Sequence, residues 1–149
     1  MTQALWSTTL VLLFSYAAIS FVTGYTTTIK NRNPYGHAFW FLPLGAFVWG
    51  DALVFGLFWM IATTGIWLWG SWQALAFVYS LFWLIRSLGE VQYWLLVQFS
   101  SGKREPAENH VLFPLIKSDA VWFIHQVIWQ CVAVLSGVGM WLSLTTGPL

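Results

Sequence analysis

Four stretches of this chain, at about residues 5–24, 38–69, 72–99 and 119–145, are nearly devoid of charged side chains, and each is long enough to carry a helix across a bilayer. A hydrocarbon core of about 30 Å takes about 20 residues at a rise of about 1.5 Å. A domain folding in water has no use for four such runs. With 58% hydrophobic and only 7% charged residues among 149, little sequence is left for an extramembrane domain. The expected fold class is therefore an all-α integral membrane protein, a four-transmembrane-helix up-down bundle forming one domain over residues 1–149. Its connecting loops fall at about 25–37 and 100–118. The first run has no basic segment before it and no A-x-A-like site after it, so it reads as a retained span rather than a cleaved signal peptide.

Basic residues orient the spans. Lys30 and Arg32 lie in the first loop and Lys103, Arg104 and Lys117 in the third, while the N-terminus, the Gly70 turn and the C-terminal tail have none. Both basic loops are expected on the cytoplasmic side and both termini on the other, in a cell (plasma or inner) membrane. A net charge of +1 offers no basic face to a phosphate backbone, which excludes nucleic acid as a partner. The lipid bilayer is the partner this composition implies. So small a bundle further suggests a homo-oligomer or membership of a larger membrane complex.

Within the third run, Tyr79, Trp83, Arg86, Glu90 and Tyr93 recur at helical spacing and so share one stripe, with Arg86 and Glu90 one turn apart. Charged groups at this depth avoid lipid and pair with one another or with a cavity. The second run is expected to be one helix from about 38 to 69, roughly 48 Å at 1.5 Å per residue. Because that exceeds the core thickness, it must tilt, project or break at Pro43 and Gly45. It carries Asp51 in its interior, together with the small-residue pairs Ala46/Gly50 and Ala52/Gly56, which allow close approach of another helix. Gly70-Ser71 leaves room only for a tight turn, and Asp51 and Glu90 are both about 19 residues from it. An antiparallel hairpin would then bring Asp51, Arg86 and Glu90 to one depth.

In the last run, His125 and Gln126 lie near the start, Gln130 follows one turn on, and Ala133 and Gly137 continue the small-residue pattern. Ser118 or Asp119 is placed to cap that helix, and the apolar patch Val111–Ile116 before it is suited to the membrane surface. In the first run, Tyr16 and Ser20 have hydroxyls that either reach a neighbouring helix or, by default, bond their own backbone. The candidate ligand- or ion-binding residues are Asp51, Arg86, Glu90, Tyr93, His125, Gln126 and Gln130, with His125 suited to relay a proton.

These residues describe a small bundle that binds or passes an ion, a proton or a small lipidic ligand. The alternatives are an accessory subunit of a larger membrane complex, or an intramembrane enzyme or binder of haem, pigment or quinone. Twelve Trp, twelve Phe and five Tyr form walls suited to flat apolar ligands as well as to packing. No metal site is expected, because Cys131 is the sole cysteine and the three histidines lack ligand spacing. No cofactor is specified, and neither a G-x-S-x-G elbow, a phosphate-binding glycine loop nor H-E-x-x-H is present. As an ordinary ion-paired rung at the cytoplasmic headgroups, Asp51, Arg86 and Glu90 would need no function at all.

Overall fold

The computed structural model describes residues 3–99, 108 and 113–146, and its regular elements are all helices. They are α1 (Gln3–Tyr25), α2 (Trp49–Trp69), α3 (Trp72–Phe99), the single turn α4 (Phe113–Ile116) and α5 (Ala120–Thr145), with a 3-10 segment at Phe39–Leu44. Four helical stretches, Gln3–Lys30, Trp49–Leu68, Trp72–Leu96 and Ala120–Thr145, are long and apolar enough to cross a membrane, as in an integral membrane protein. Lys103, Arg104, Glu105, His110, Val111 and Leu112 lie outside the described residues. The chain forms two compact units, one running through Leu75 and the other starting at Ala76.

In the first unit, α1 and α2 run antiparallel and meet through their smallest residues. A Cβ on Gly56 would lie 2.5 Å from the Phe21 nitrogen and 2.9 Å from the Ala17 carbonyl oxygen, and one on Gly24 would lie 2.8 Å from the Ala52 carbonyl carbon. Only glycine permits this approach, and it lets the buried Ser20 hydroxyl donate across the interface to the Ala52 carbonyl at 3.0 Å. The Ala52/Gly56 pair thus does receive another helix. The default reading of Ser20 as bonded within its own helix is overturned. Thr9 and Thr26 do behave that way, donating to the carbonyls of Leu5 and Val22 four residues back. At its C-terminal end α1 widens into a π-turn, Thr26–Lys30, before Asn33-Pro34 reverses the chain.

The break that Pro43 and Gly45 permit in the second run is deeper than a kink. From Ala38 the chain leaves the end of α2, runs through the 3-10 segment, turns at Gly45 (φ 83°) and returns, and α2 starts only at Trp49. A narrow neck closes this excursion. His37 bridges Val48, and the Ala38 N–H donates to the Phe47 carbonyl at 2.8 Å. Pro43 excludes a regular helix here because it lacks an N–H and clashes with the preceding turn, and Gly45 supplies the left-handed turn. The excursion folds inward. Phe41, Leu44, Ala38 and Ala46 are buried, Tyr16 and Phe55 pack on this cluster, and Tyr16 and Phe41 rings are 5.6 Å apart.

The second unit is built on larger side chains. One stripe of α5, Trp122, Gln126, Trp129 and Ala133, is buried and steps by four, three and four residues, as a helix face must. Against it stand Trp94 and Trp83 of α3: the Trp94 and Trp122 rings stack at 5.1 Å, and those of Trp83 and Trp129 at 6.3 Å. Phe113 and Ile116 of α4 pack on Val121 and Trp122, and Lys117 (φ 51°) ends that turn. Ser118 rather than Asp119 meets the start of α5, accepting from the Ala120 N–H at 3.4 Å. Cys131 is exposed, as is Gln130, so both lie off the packed stripe.

Candidate functional site

Asp51 owes its environment to where α2 begins. In the first turn of the helix, three residues past Val48, its carboxylate accepts the Phe47 N–H at 3.2 Å. An acid at this position, reaching back to a free N–H, stabilises a helix start and complements the positive end of the macrodipole. The other early N–H groups are taken by the preceding loop: Trp49 donates to the Gly36 carbonyl at 3.1 Å and Gly50 to that of Pro34 at 2.9 Å. The charge that looks deep in a 32-residue helix is thus a capping group. Asp51 belongs to the first unit and Arg86 and Glu90 to the second, and each is engaged inside its own unit.

On α3, Arg86 and Glu90 form the expected ion pair, with side chains only 18% and 16% exposed. Arg86 Nη1 meets Glu90 Oε1, and Glu90 Oε2 accepts the Trp94 Nε1–H at 3.0 Å. Both carboxylate oxygens are therefore held along one helix face by groups four residues either way. Trp94 then carries the network to α5, where the His125 ring packs edge-on at 4.7 Å and is followed by Trp129 at 6.2 Å. Gln98 donates its amide to Gln126 Oε1 at 2.7 Å, which ties α3 to α5 near one end. Of the expected site residues in this unit, Arg86, Glu90, His125 and Gln126 come together around Trp94 and Gln98. Tyr93 is 54% exposed and touches the cluster only through its ring on Trp94, and Gln130 stands outside it.

Farther along the same pair of helices, a groove of about 270 Å³ opens between Tyr79, Ser80 and Trp83 of α3 and Val132, Leu135 and Ser136 of α5. Trp83, stacked on Trp129, forms one wall, and Tyr79 packs against it at 6.4 Å. The lining is apolar apart from three hydroxyls and the indole N–H. Gly139 makes room for the Ser80 side chain, since a Cβ there would meet the Ser80 hydroxyl at 2.8 Å. Tyr79 and Trp83 lie on the stripe read from the sequence, whereas Ser80 and Ser136 were not among the candidates. Ser80 stands near Gly139 in the folded pair, a juxtaposition visible only once α3 and α5 are brought together.

Among the described residues no group of three or more His, Cys, Asp or Glu side chains could hold a metal ion. No family model, curated protein or solved structure matches the chain.

Proposed function

We propose that the protein is a small membrane-embedded binding bundle whose ligand is a slim apolar molecule, such as an acyl or isoprenoid chain, taken into the groove between α3 and α5. In this reading the four helices cross the bilayer in up-down order, with the basic loops cytoplasmic and both termini on the opposite side. The observation that carries it is the groove itself, about 270 Å³ of mostly apolar space lined by Tyr79, Ser80, Trp83, Val132, Leu135 and Ser136. That volume falls just below the range of about 300–1,000 Å³ that encloses whole drug-sized ligands, so it suits a chain segment bearing one polar group. Ligand binding is favoured over ion or proton passage because Asp51, Arg86 and Glu90 already have local partners.

Native mass spectrometry of protein released gently from membranes tests this. Parent protein should retain a lipid adduct, and Ser136→Phe, which fills the groove, should lose it. Val134→Phe, on a 66% exposed position of the same helix, should retain it. Equal retention by all three would mean annular lipid and would end the proposal.

A second reading, as a subunit of a homo-oligomer or larger complex, is supported by how little of α3 this chain covers. Only 6% of its most apolar window is buried, against 28% for α2. A stoichiometric second protein or second copy in the same spectra, with no lipid adduct, would favour that reading.

A further inference from the structure

We propose that residues 38–47 form a re-entrant insertion, entering the bilayer beside α1 and α2, turning at Gly45 below the headgroups and leaving by the side it entered, with its outer face against lipid acyl chains. The position of the turn comes from its contacts. Trp59 donates its indole N–H to the Leu44 carbonyl at 3.2 Å, and Trp59 lies ten residues into α2. A helical side chain leans toward the N-terminus, so this donor sits about 10 Å along the axis from the start of α2. Tyr16, in the middle of α1, donates its hydroxyl to the Trp40 carbonyl. Trp49 opens an apolar helical stretch of 20 residues, about the length that crosses the core, so the neck at His37–Val48 marks the boundary and the turn lies inside it.

Two further properties suit hydrocarbon and not water. From Ala38 to Gly50 no residue has a charged, amide or hydroxyl side chain, whereas a loop in water is ordinarily rich in them. Non-helical backbone survives at membrane depth only where protein satisfies its polar groups, and here it does. The N–H of Gly45 donates to Leu42, that of Ala46 to Phe41, and that of Phe47 to Asp51, while the indole and phenol take the carbonyls of Leu44 and Trp40. The side chains left outside are those of Phe39, Trp40 and Leu42, exposed by 50%, 87% and 42%, and of Pro43. Asp51 is the positioning residue, because its carboxylate holds the returning strand where the excursion rejoins α2.

Site-directed spin labelling in phosphatidylcholine vesicles tests this, in a Cys131→Ser background. Labels at Trp40→Cys and Leu42→Cys should collide more with oxygen than with an aqueous nickel chelate, as should a reference label at Ile61→Cys on the outer face of α2. A label at Tyr35→Cys, before the neck, should show the reverse. Nickel-dominated collisions at 40 and 42 with oxygen-dominated ones at 61 would overturn the insertion. Nickel dominance at 61 as well would overturn membrane crossing itself. Shielding from both reagents at 40 and 42 would place protein, not lipid, on this face and also refute the proposal. Asp51→Leu should raise nickel access at position 40, and Asp51→Asn, which keeps an acceptor, should not. No change in Asp51→Leu would refute the role given to the carboxylate.

Discussion

Replacing Gly56 by alanine adds one methyl group to α2, and the structure specifies what it strikes. The new Cβ would stand 2.5 Å from the Phe21 nitrogen, 2.8 Å from Phe21 Cα and 2.9 Å from the Ala17 carbonyl oxygen, all backbone of α1. Carbon atoms rest about 3.5–4.0 Å apart, and backbone cannot swing aside as a side chain does, so α1 must withdraw by about 1 Å. Overpacking of this kind costs about 1–3 kcal/mol. Withdrawal also lengthens the Ser20 bond to the Ala52 carbonyl, of a class worth about 0.6 kcal/mol between membrane helices. Alanine favours a helix over glycine by up to about 1 kcal/mol in water, a gain that shrinks where the unfolded helices persist in detergent. The net expectation is a loss of about 2 kcal/mol, or roughly thirtyfold in the folding equilibrium. Unfolding by increasing mole fraction of sodium dodecyl sulfate in dodecyl maltoside, followed by tryptophan fluorescence, measures it. Gly137→Ala and Gly89→Ala are the controls, since nothing lies within 4 Å of a Cβ at either position. If Gly56→Ala unfolds at the same detergent fraction as these controls and the parent, α1 and α2 are not in contact as described.

Arg86→Ala leaves the Glu90 carboxylate, which also accepts the Trp94 N–H, without its counter-charge and is expected to destabilise by about 3 kcal/mol or more, as removal of one partner from a buried pair does. Glu90→Gln keeps one acceptor oxygen for Arg86 or Trp94 and leaves only the long arginine, which can reach toward water, without its counter-charge, so it should cost less, an order that the same detergent titration reads. Gln126→Leu leaves the Gln98 amide without its bond across to α5 and is expected to cost about 1–2 kcal/mol, with Gln98→Leu/Gln126→Leu recovering part of the loss.

The four apolar helices were legible because span length and hydrophobicity are properties of composition, which the lipid constraint translates directly into helices. The Arg86–Glu90 pair was legible because i and i+4 spacing is local. What escaped the sequence was the path between Ala38 and Val48. Periodicity does not separate an apolar helix from an apolar excursion held by side chains distant in sequence, and Tyr16 and Trp59 are 24 and 15 residues from the carbonyls they bind. Misplacing the start of α2 by eleven residues turned Asp51 from a first-turn cap into an apparent interior charge. The partner surface on α1 was equally hidden, since Ala17, Ser20 and Gly24 become a seam only when paired with Ala52 and Gly56.

The two units pack their helices in opposite ways. Helices in lipid gain little from the hydrophobic effect against each other and must rely on packing and hydrogen bonds. Between α1 and α2 that packing is backbone against backbone at glycine, which excludes any third molecule. Between α3 and α5 it is ring against ring, with Trp94 on Trp122 and Trp83 on Trp129. Indole rings act as rigid spacers, and where the stack ends beyond Trp83 the facing residues shrink to Ser80, Val132 and Ser136, which leaves the groove. Close packing in the first unit leaves no room for a third molecule, whereas spacing by aromatic rings in the second leaves the groove on which the proposed binding rests. The polar contacts of α3 and α5 lie to one side of the groove, where Glu90 accepts from Trp94 and the Gln98–Gln126 bond ties the two helices together, so the groove itself is left mostly apolar.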